Sequence, residues 1–117
     1  MAFKVSIKDI LDSPFHPSSG GYDPNYVEIN GKKIVRVNII ARLVKENNTL
    51  LLEDQTGKIP IRSFDKPLEG KEGDVVRVVG KVRETDGEKF VAVEIMRKVD
   101  PKELEIRRLE ILKNRES

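Results

Sequence analysis

The sequence lacks cysteine and tryptophan altogether, and among its 117 residues it has a single histidine. Without cysteine the chain can form no disulfide, no thiolate nucleophile and no cysteine-ligated metal site. The one histidine, His16, cannot build a metal site alone, and it lies in a proline-rich stretch with no fixed acid or serine beside it. We therefore expect no bound metal and read His16 as a surface loop residue.

Long hydrophobic runs are also missing, since no segment approaches the ~20 apolar residues of a membrane-spanning helix. The first residues, Met1 to Asp9, interrupt their apolar positions with charge, which is unlike a secretory signal peptide. These two absences predict a soluble protein of the cell interior.

An excess of charge of one sign is missing too. Charged residues make up 36% of the chain, but 22 bases and 20 acids leave a net charge of only +2. So small an excess does not attract a polyanion to the whole surface, and nucleic-acid binding would need a local basic patch. The length suits one domain with a modest core.

Groups that enzymes position for catalysis are not apparent. The acid pairs Glu53-Asp54 and Glu103/Glu105 fall in a turn and along a helix flank, where solvated charge is the simplest reading. The Ser-Ser-Gly-Gly segment at 18–21 lacks the Gly-Lys-Ser/Thr ending of a phosphate-binding loop. We predict a protein that is not an enzyme and needs no cofactor.

The most informative stretch that is present covers residues 49–64, which predict two strands joined by a tight Asp-Gln-Thr-Gly turn. On the second strand Ile59 and Ile61 share one face, while Lys58, Arg62 and Phe64 share the other. A stacking ring beside cationic side chains suits an unstacked nucleic-acid strand. The stretch therefore points to a single-strand-binding surface.

Further strands are predicted at 32–45, 75–84 and 89–99, with hairpin turns at 46–48 and 85–87. Gly80, in the middle of a strand, indicates a bulge or a sharp bend such as a barrel corner requires. On the last strand we expect Val91, Val93 and Ile95 to point inward, and Phe90 and Glu94 to point outward. Five strands at this spacing predict a mainly β fold, a small closed Greek-key barrel.

The barrel is expected over residues 26–99, where Asn30-Gly31 is a strong hairpin signal. Residues 1–25 then form an N-terminal extension, with an extended piece, one helical turn and a loop rich in proline and glycine. Residues 100–117 form a C-terminal helix, because Asp100 suits the N-cap and Pro101 the first helical position.

That helix is more apolar than one barrel edge would cover. Two interpretations stay open, a helix that caps its own barrel and a helix that bundles with partner subunits. The second would place an assembly interface at Leu104, Ile106, Leu109, Ile111 and Leu112.

In a barrel of this kind a ligand contacts the outward side chains of strands two and three and the loops that flank them. The candidate residues for binding single-stranded DNA are Phe64, Arg62, Lys58, Phe90, Lys45, Arg42, Arg83 and Lys89. They predict weak, salt-sensitive binding without sequence preference. The alternatives are that Phe64 caps the barrel end and that Phe90 packs against the C-terminal helix.

Five short segments occur in an order and at spacings typical of one family: Ile-Lys-Asp-Ile-Leu at 7–11, Pro-Asn-Tyr-Val at 24–27, Arg-Val-Asn-Ile-Ile-Ala at 36–41, Leu-Glu-Asp-Gln-Thr-Gly at 52–57 and Gly-Lys-Val-Arg-Glu at 80–84. Over about residues 5–112 the chain resembles the OB-fold subunits of archaeal replication protein A, of the small or middle type. The lack of a winged-helix domain within these residues favours the small subunit.

The resemblance implies an OB-fold barrel in a complex that binds single-stranded DNA during replication, repair and recombination. It also implies a heterotrimer held by one C-terminal helix from each subunit, and a cytoplasmic, nucleoid-associated location. Phe64 matches the family's base-stacking aromatic at the end of the third strand. The second stacking position aligns with Val93, so that the aromatic is displaced to Phe90. The alternatives are an OB-fold scaffold that contacts only proteins, and an RNA-binding module.

Overall fold

Strands account for about half of the described residues, and the longest of them build the barrel. The structure is a computed structural model that describes residues 2–18 and 24–116, except for the side chains of residues 115 and 116. In chain order the elements are β1 (Phe3–Lys4), α1 (Ile7–Leu11), β2 (Phe15–His16), β3 (Tyr26–Ile29), β4 (Lys32–Ile34), β5 (Arg36–Glu46), β6 (Thr49–Glu53), β7 (Lys58–Arg62), β8 (Val75–Thr85), β9 (Glu88–Lys98) and α2 (Lys102–Glu116). None of the helices in this part of the chain is both long and apolar enough to span a membrane.

Five of the strands close into a circle. The antiparallel pairs are β5–β6, β6–β7, β8–β9 and β5–β8, and the single parallel pair β7–β9 completes the ring. This is the five-stranded Greek-key barrel of the OB fold, and closure leaves no long strand edge exposed. The predicted fold class, with a short N-terminal part and a C-terminal helix, is confirmed.

The inward side chains of the barrel strands, at alternate positions along each strand, fill the barrel interior. On β5 the side chains of Val37, Ile39 and Leu43 are fully buried, and Val78 on β8 and Ile59 on β7 join them in one cluster. Branched aliphatic side chains on successive inward positions pack well on a pleated surface, so the pattern itself specifies the register.

A β-bulge between β8 and β9 changes the alternation of the last strand. Val79 lies opposite Ile95 and Gly80 opposite Val93, so Glu94 is an extra residue without a partner across the ladder. The prediction that Ile95 points inward was therefore wrong: its side chain is 49% exposed, and Met96 packs against the core instead. Gly80 is required here, because a Cβ would lie 2.2 Å from the carbonyl oxygen of Ala92.

The N-terminal segment belongs to the same core as the barrel. Ser6 caps α1 in a capping box with Asp9, and Ile7 and Ile10 of α1 are fully buried. The helix is tied to the β6–β7 turn, where Asp54 Oδ2 accepts a hydrogen bond from the Ile7 amide at 3.0 Å. Thus the stretch predicted as an extension also packs side chains into the barrel core.

A small separate sheet follows α1 and contains the single histidine. It has the strand order β2–β3–β4. His16 stacks on Tyr26 with ring centroids 4.6 Å apart, so it lies on a strand and not in a loop.

The C-terminal helix begins as predicted and lies across β5. The Lys102 amide donates to Asp100 Oδ1 at 2.9 Å, which is the expected cap. Arg107 is only 7% exposed and donates to the backbone and side-chain oxygens of Asn38 at 2.6 and 2.7 Å. One face of α2 is thereby fixed to the barrel, whereas Ile106, Leu109 and Leu112 are 47%, 53% and 44% exposed.

Candidate nucleic-acid interface

A shallow apolar row crosses the outer surface of three barrel strands. Val44 lies opposite Leu51, and Leu51 lies opposite Pro60. All three side chains are half-buried, because they point away from the core without being covered by another element. The alternation along the second strand of the 49–64 stretch already placed Pro60 on this face with Lys58 and Arg62. Val44 was not among the predicted surface residues, although its alternation with the inward residues of β5 could have identified it.

Phe64 lies at one end of this surface, just after β7. Its side chain is 70% exposed, so it does not cap the barrel core. The Ser63 hydroxyl accepts a hydrogen bond from the Lys66 amide at 3.3 Å, which shapes the turn that presents the ring. An exposed aromatic on a turn of this kind has its π-face available to a base.

Arg62 and Phe90 form a stacked pair beside Phe64. The guanidinium carbon of Arg62 lies 4.4 Å from the centroid of the Phe90 ring, within cation–π distance. Phe90 is on the outer side of β9, but it is only 5% exposed, which corrects the expectation of a second exposed stacking ring. In this geometry the buried ring of Phe90 lies beneath the Arg62 guanidinium and supports it.

Lys58 is held by carboxylates at the other end of the row. Its ammonium lies 2.8 Å from Glu46 Oε2 and 3.7 Å from Glu53 Oε2, and the hydrogen bond to Glu46 raises the pKa of Lys58. Two carboxylates around one ammonium leave this corner negative. Lys58 is consequently a poor phosphate ligand in this arrangement.

Two further predicted cations are directed elsewhere. Arg42 donates to the Gly73 carbonyl oxygen at 3.1 Å and lines a cleft of about 380 Å³ between α2 and the β6–β7 turn. Lys89 donates to the carbonyl oxygen of Leu11, the last residue of α1, at 3.0 Å. By contrast, Arg83 lies opposite Phe90 in the β8–β9 ladder.

Seven of the eight predicted site residues fall into two sets, and Lys45 belongs to neither. The structure brings Arg62, Phe90 and Arg83 together, and Phe64 follows two residues after Arg62; we call these four residues the stacking corner. Lys58, Arg42 and Lys89 are engaged with protein groups. Lys45, near the β5–β6 turn, is exposed and forms no ion pair within the described part of the chain. Among the described residues, exposed cations without a carboxylate partner are therefore present both at the stacking corner and, as Lys45, near the β5–β6 turn.

Sequence comparison gives one informative relative, since no family model matches the chain. An uncharacterized protein of Methanocaldococcus jannaschii is 37% identical over 92 residues, which cover 78% of this chain. The same match covers 41% of the relative, so the chain spans less than half the length of that protein.

Structural comparison gives neighbours that extend over almost the whole chain. A replication protein A heterotrimer bound to single-stranded DNA has a chain with a TM-score of 0.74 at 22% identity, covering 94% of this chain and 91% of its own. Yeast replication protein A bound to single-stranded DNA gives 0.66 at 22%, covering 97% and 88%. The Stn1–Ten1 complex of S. pombe gives 0.79 at 16%, covering 99% and 92%. These likenesses establish a shared OB fold that includes the C-terminal helix.

Proposed function

We propose that this chain, whose OB fold is that of replication protein A subunits, is a non-catalytic subunit of a complex that binds single-stranded DNA. In this role it serves DNA replication, repair and recombination. The barrel makes a weak contact with the strand that does not depend on sequence, and α2 joins the subunit to other OB-fold subunits. The structural neighbours support the coarse assignment, because two of them are replication protein A bound to single-stranded DNA.

The exposed ring of Phe64 carries the DNA-binding part of the proposal. It is 70% exposed beside a guanidinium held 4.4 Å over Phe90. A base can stack on the ring while the Arg62 guanidinium neutralises the adjoining phosphate. The half-buried apolar row then gives the following bases a surface to lie on.

We expect weak binding because other cations of the groove already interact with groups of the protein. Because Lys58 is neutralised by Glu46 and Glu53, few cations remain for phosphates in the groove. We therefore expect the assembled complex to bind DNA more tightly than this subunit alone.

The exposed face of α2 carries the assembly part. The side chains of Ile106, Leu109 and Leu112 recur every three residues on the side of the helix away from Arg107. A helix that is apolar on both faces is suited to a bundle rather than to a surface. The proposed partners are subunits that end in a helix of the same kind.

A Phe64→Ala variant is expected to bind oligo-dT about 5- to 150-fold more weakly, since stacking is worth about 1–3 kcal/mol per base. Fluorescence anisotropy with a labelled oligonucleotide at low salt measures the change. Phe3→Ala is the matched control, because Phe3 is an exposed aromatic on β1, opposite Val37 at the end of β5 distant from Val44. Arg62→Ala should weaken binding and reduce the dependence of log K on log salt by about one.

A second candidate function is an OB-fold scaffold that contacts only proteins, favoured by the carboxylates around Lys58. Absence of oligo-dT binding at low salt, or equal affinities of the wild type and the Phe64→Ala variant, would support the scaffold. An oligo-U arm tests the RNA-binding alternative, because the 2′-hydroxyl distinguishes RNA from DNA at every position.

A further inference from the structure

A second basic surface lies outside the groove, on the outer side of β8 and β9. The outward residues of β8 include Arg77, Lys81 and Arg83, and they alternate with the buried side chains of Val76, Val78 and Val82. Arg97 of β9 lies directly opposite Arg77 in the ladder. We call the surface formed by Arg77, Lys81, Arg83, Ile95 and Arg97 the outer face.

The Arg77–Arg97 pair is electrostatically unfavourable in the isolated protein. Like charges directly opposite each other on neighbouring strands destabilise a sheet. Arg107 of α2 is close enough to be affected: burial lowers its pKa, Glu110 raises it, and the charge of Arg77 lowers it further. Because Arg107 is buried and bonded to Asn38, the Arg77–Arg97 pair is the part of this surface that would gain from a bound anion.

The acids near this surface neutralise it only in part, at Lys81, whose charge helps to lower the pKa of Glu94. Glu94 forms a two-point contact with Arg36 at 2.6 and 3.1 Å, which holds the pKa of Glu94 below its ordinary value. Within the described part of the chain, neither Arg77 nor Arg97 has a carboxylate oxygen within 4.0 Å. The other acids of the hairpin, Glu84, Asp86 and Glu88, lie towards its tip beyond Arg83.

The outer face also offers apolar surface between its charges. The β-bulge leaves Ile95 49% exposed, opposite the half-buried Val79. These two residues lie in the ladder between the Arg77–Arg97 pair and Lys81. Alternating cations and apolar side chains suit a strand that presents both phosphates and bases.

The outer face is continuous with the stacking corner. This continuity favours nucleic acid as the ligand of the outer face. Arg83 lies opposite Phe90, and Phe90 carries the Arg62 guanidinium of the groove. From Arg83 the row of outward residues runs along β8 to Arg77, about 20 Å further at roughly 3.4 Å per residue. A chain of phosphates that reaches Arg62 can follow this row, and arginine is the side chain best suited to bind them.

We propose that a single strand of nucleic acid leaves the groove at the stacking corner and continues along β8, with its phosphates at Arg83, Lys81 and the Arg77–Arg97 pair. The proposal rests on the proposed function, since it extends the path of the same strand. It makes the β8–β9 hairpin a second contact that only longer oligonucleotides reach.

The test compares the wild type with an Arg77→Gln/Arg97→Gln double variant on oligo-dT of about 6 and about 24 nucleotides, chosen around the site size of one OB fold. The variant should keep the affinity for the short oligonucleotide within about 2-fold. On the long one it should bind about 10-fold more weakly, with a salt slope reduced by about two. Lys32→Gln/Lys71→Gln removes the same net charge from exposed positions outside both surfaces and serves as the control.

A second readout is thermal stability. Since the double variant removes the repulsion between like charges, its unfolding midpoint should equal or exceed that of the wild type while its long-oligonucleotide affinity falls. This combination separates loss of a contact from loss of fold.

Three other results of these binding measurements would each contradict the proposal in a different way. Unchanged affinity of the double variant for the long oligonucleotide would overturn the extended path and leave the groove intact. The same result, together with loss of binding to a polyglutamate peptide, would assign the outer face to an acidic protein segment instead. Failure of the wild type to bind either oligonucleotide would remove the proposed function itself, and the extended path with it.

Discussion

Replacing both Ile106 and Leu109 by glutamate is expected to abolish association with a partner OB-fold subunit while leaving the barrel folded. These side chains are 47% and 53% exposed in the isolated chain, so charge there costs little until a partner covers them. Full burial of an aliphatic side chain is worth about 1.5–3 kcal/mol, and a buried unpaired carboxylate adds a larger penalty. The combined loss corresponds to at least ~100-fold in affinity.

Size-exclusion chromatography with light scattering measures the effect, on mixtures with a replication protein A-type subunit that ends in an apolar helix. The matched control is Lys32→Glu/Lys71→Glu, which introduces two glutamates at exposed positions outside α2. Circular dichroism of the variant alone should match the wild type. If the double variant still associates as tightly, α2 caps its own barrel and assembly uses another surface.

Replacing Asp54 by alanine is expected to lower the free energy of unfolding by about 2–4 kcal/mol, because one carboxylate makes several charge-assisted hydrogen bonds. Its Oδ1 accepts from the Thr56 amide at 2.7 Å and from the Gly57 amide at 3.1 Å, closing the β6–β7 turn. Its Oδ2 accepts from the Ile7 amide at 3.0 Å, which joins α1 to the barrel. The loss therefore affects two elements at once.

Urea denaturation of the variant measures the loss, and amide hydrogen exchange should show that α1 opens more readily than the barrel strands. Asp65→Ala is the control, since Asp65 is exposed in the loop just after Phe64. A change below about 0.5 kcal/mol would mean that the packing of Ile7 and Ile10, rather than the carboxylate, holds α1 in place.

The strand pattern was predictable as far as the alternation of side chains is regular. On β5 and β8 the alternating inward aliphatic residues are buried, from Val37 to Leu43 and from Val76 to Val82. The alternation fails for Ile95, because the bulge inserts Glu94 opposite no residue of β8. Gly80 indicated a bulge, but the sequence could not show on which strand the extra residue would lie or which neighbour would turn outward.

The sequence predicted the exposed aromatic of the candidate site, but it did not predict which of the cations are available. Phe64 is exposed where the alternation placed it, and its role as a base-stacking residue stays a prediction. Whether a lysine or an arginine is available to a phosphate depends on which carboxylates and carbonyls lie near it in space. Lys58 is held by Glu46 of β5 and Glu53 of β6, whereas Lys89 reaches Leu11, 78 residues earlier in the chain.

The sequence alone determined the class of fold, the cap of α2 and the turn at Asp54-Gln55-Thr56-Gly57, since these depend on local periodicity and on hydrogen bonds between neighbours. Only the tertiary structure decided that this turn also anchors α1, that Arg62 lies on Phe90, and that Arg77 faces Arg97. Each of these results from strand register and from long-range contacts. Ring closure fixes those contacts, and no local pattern contains them.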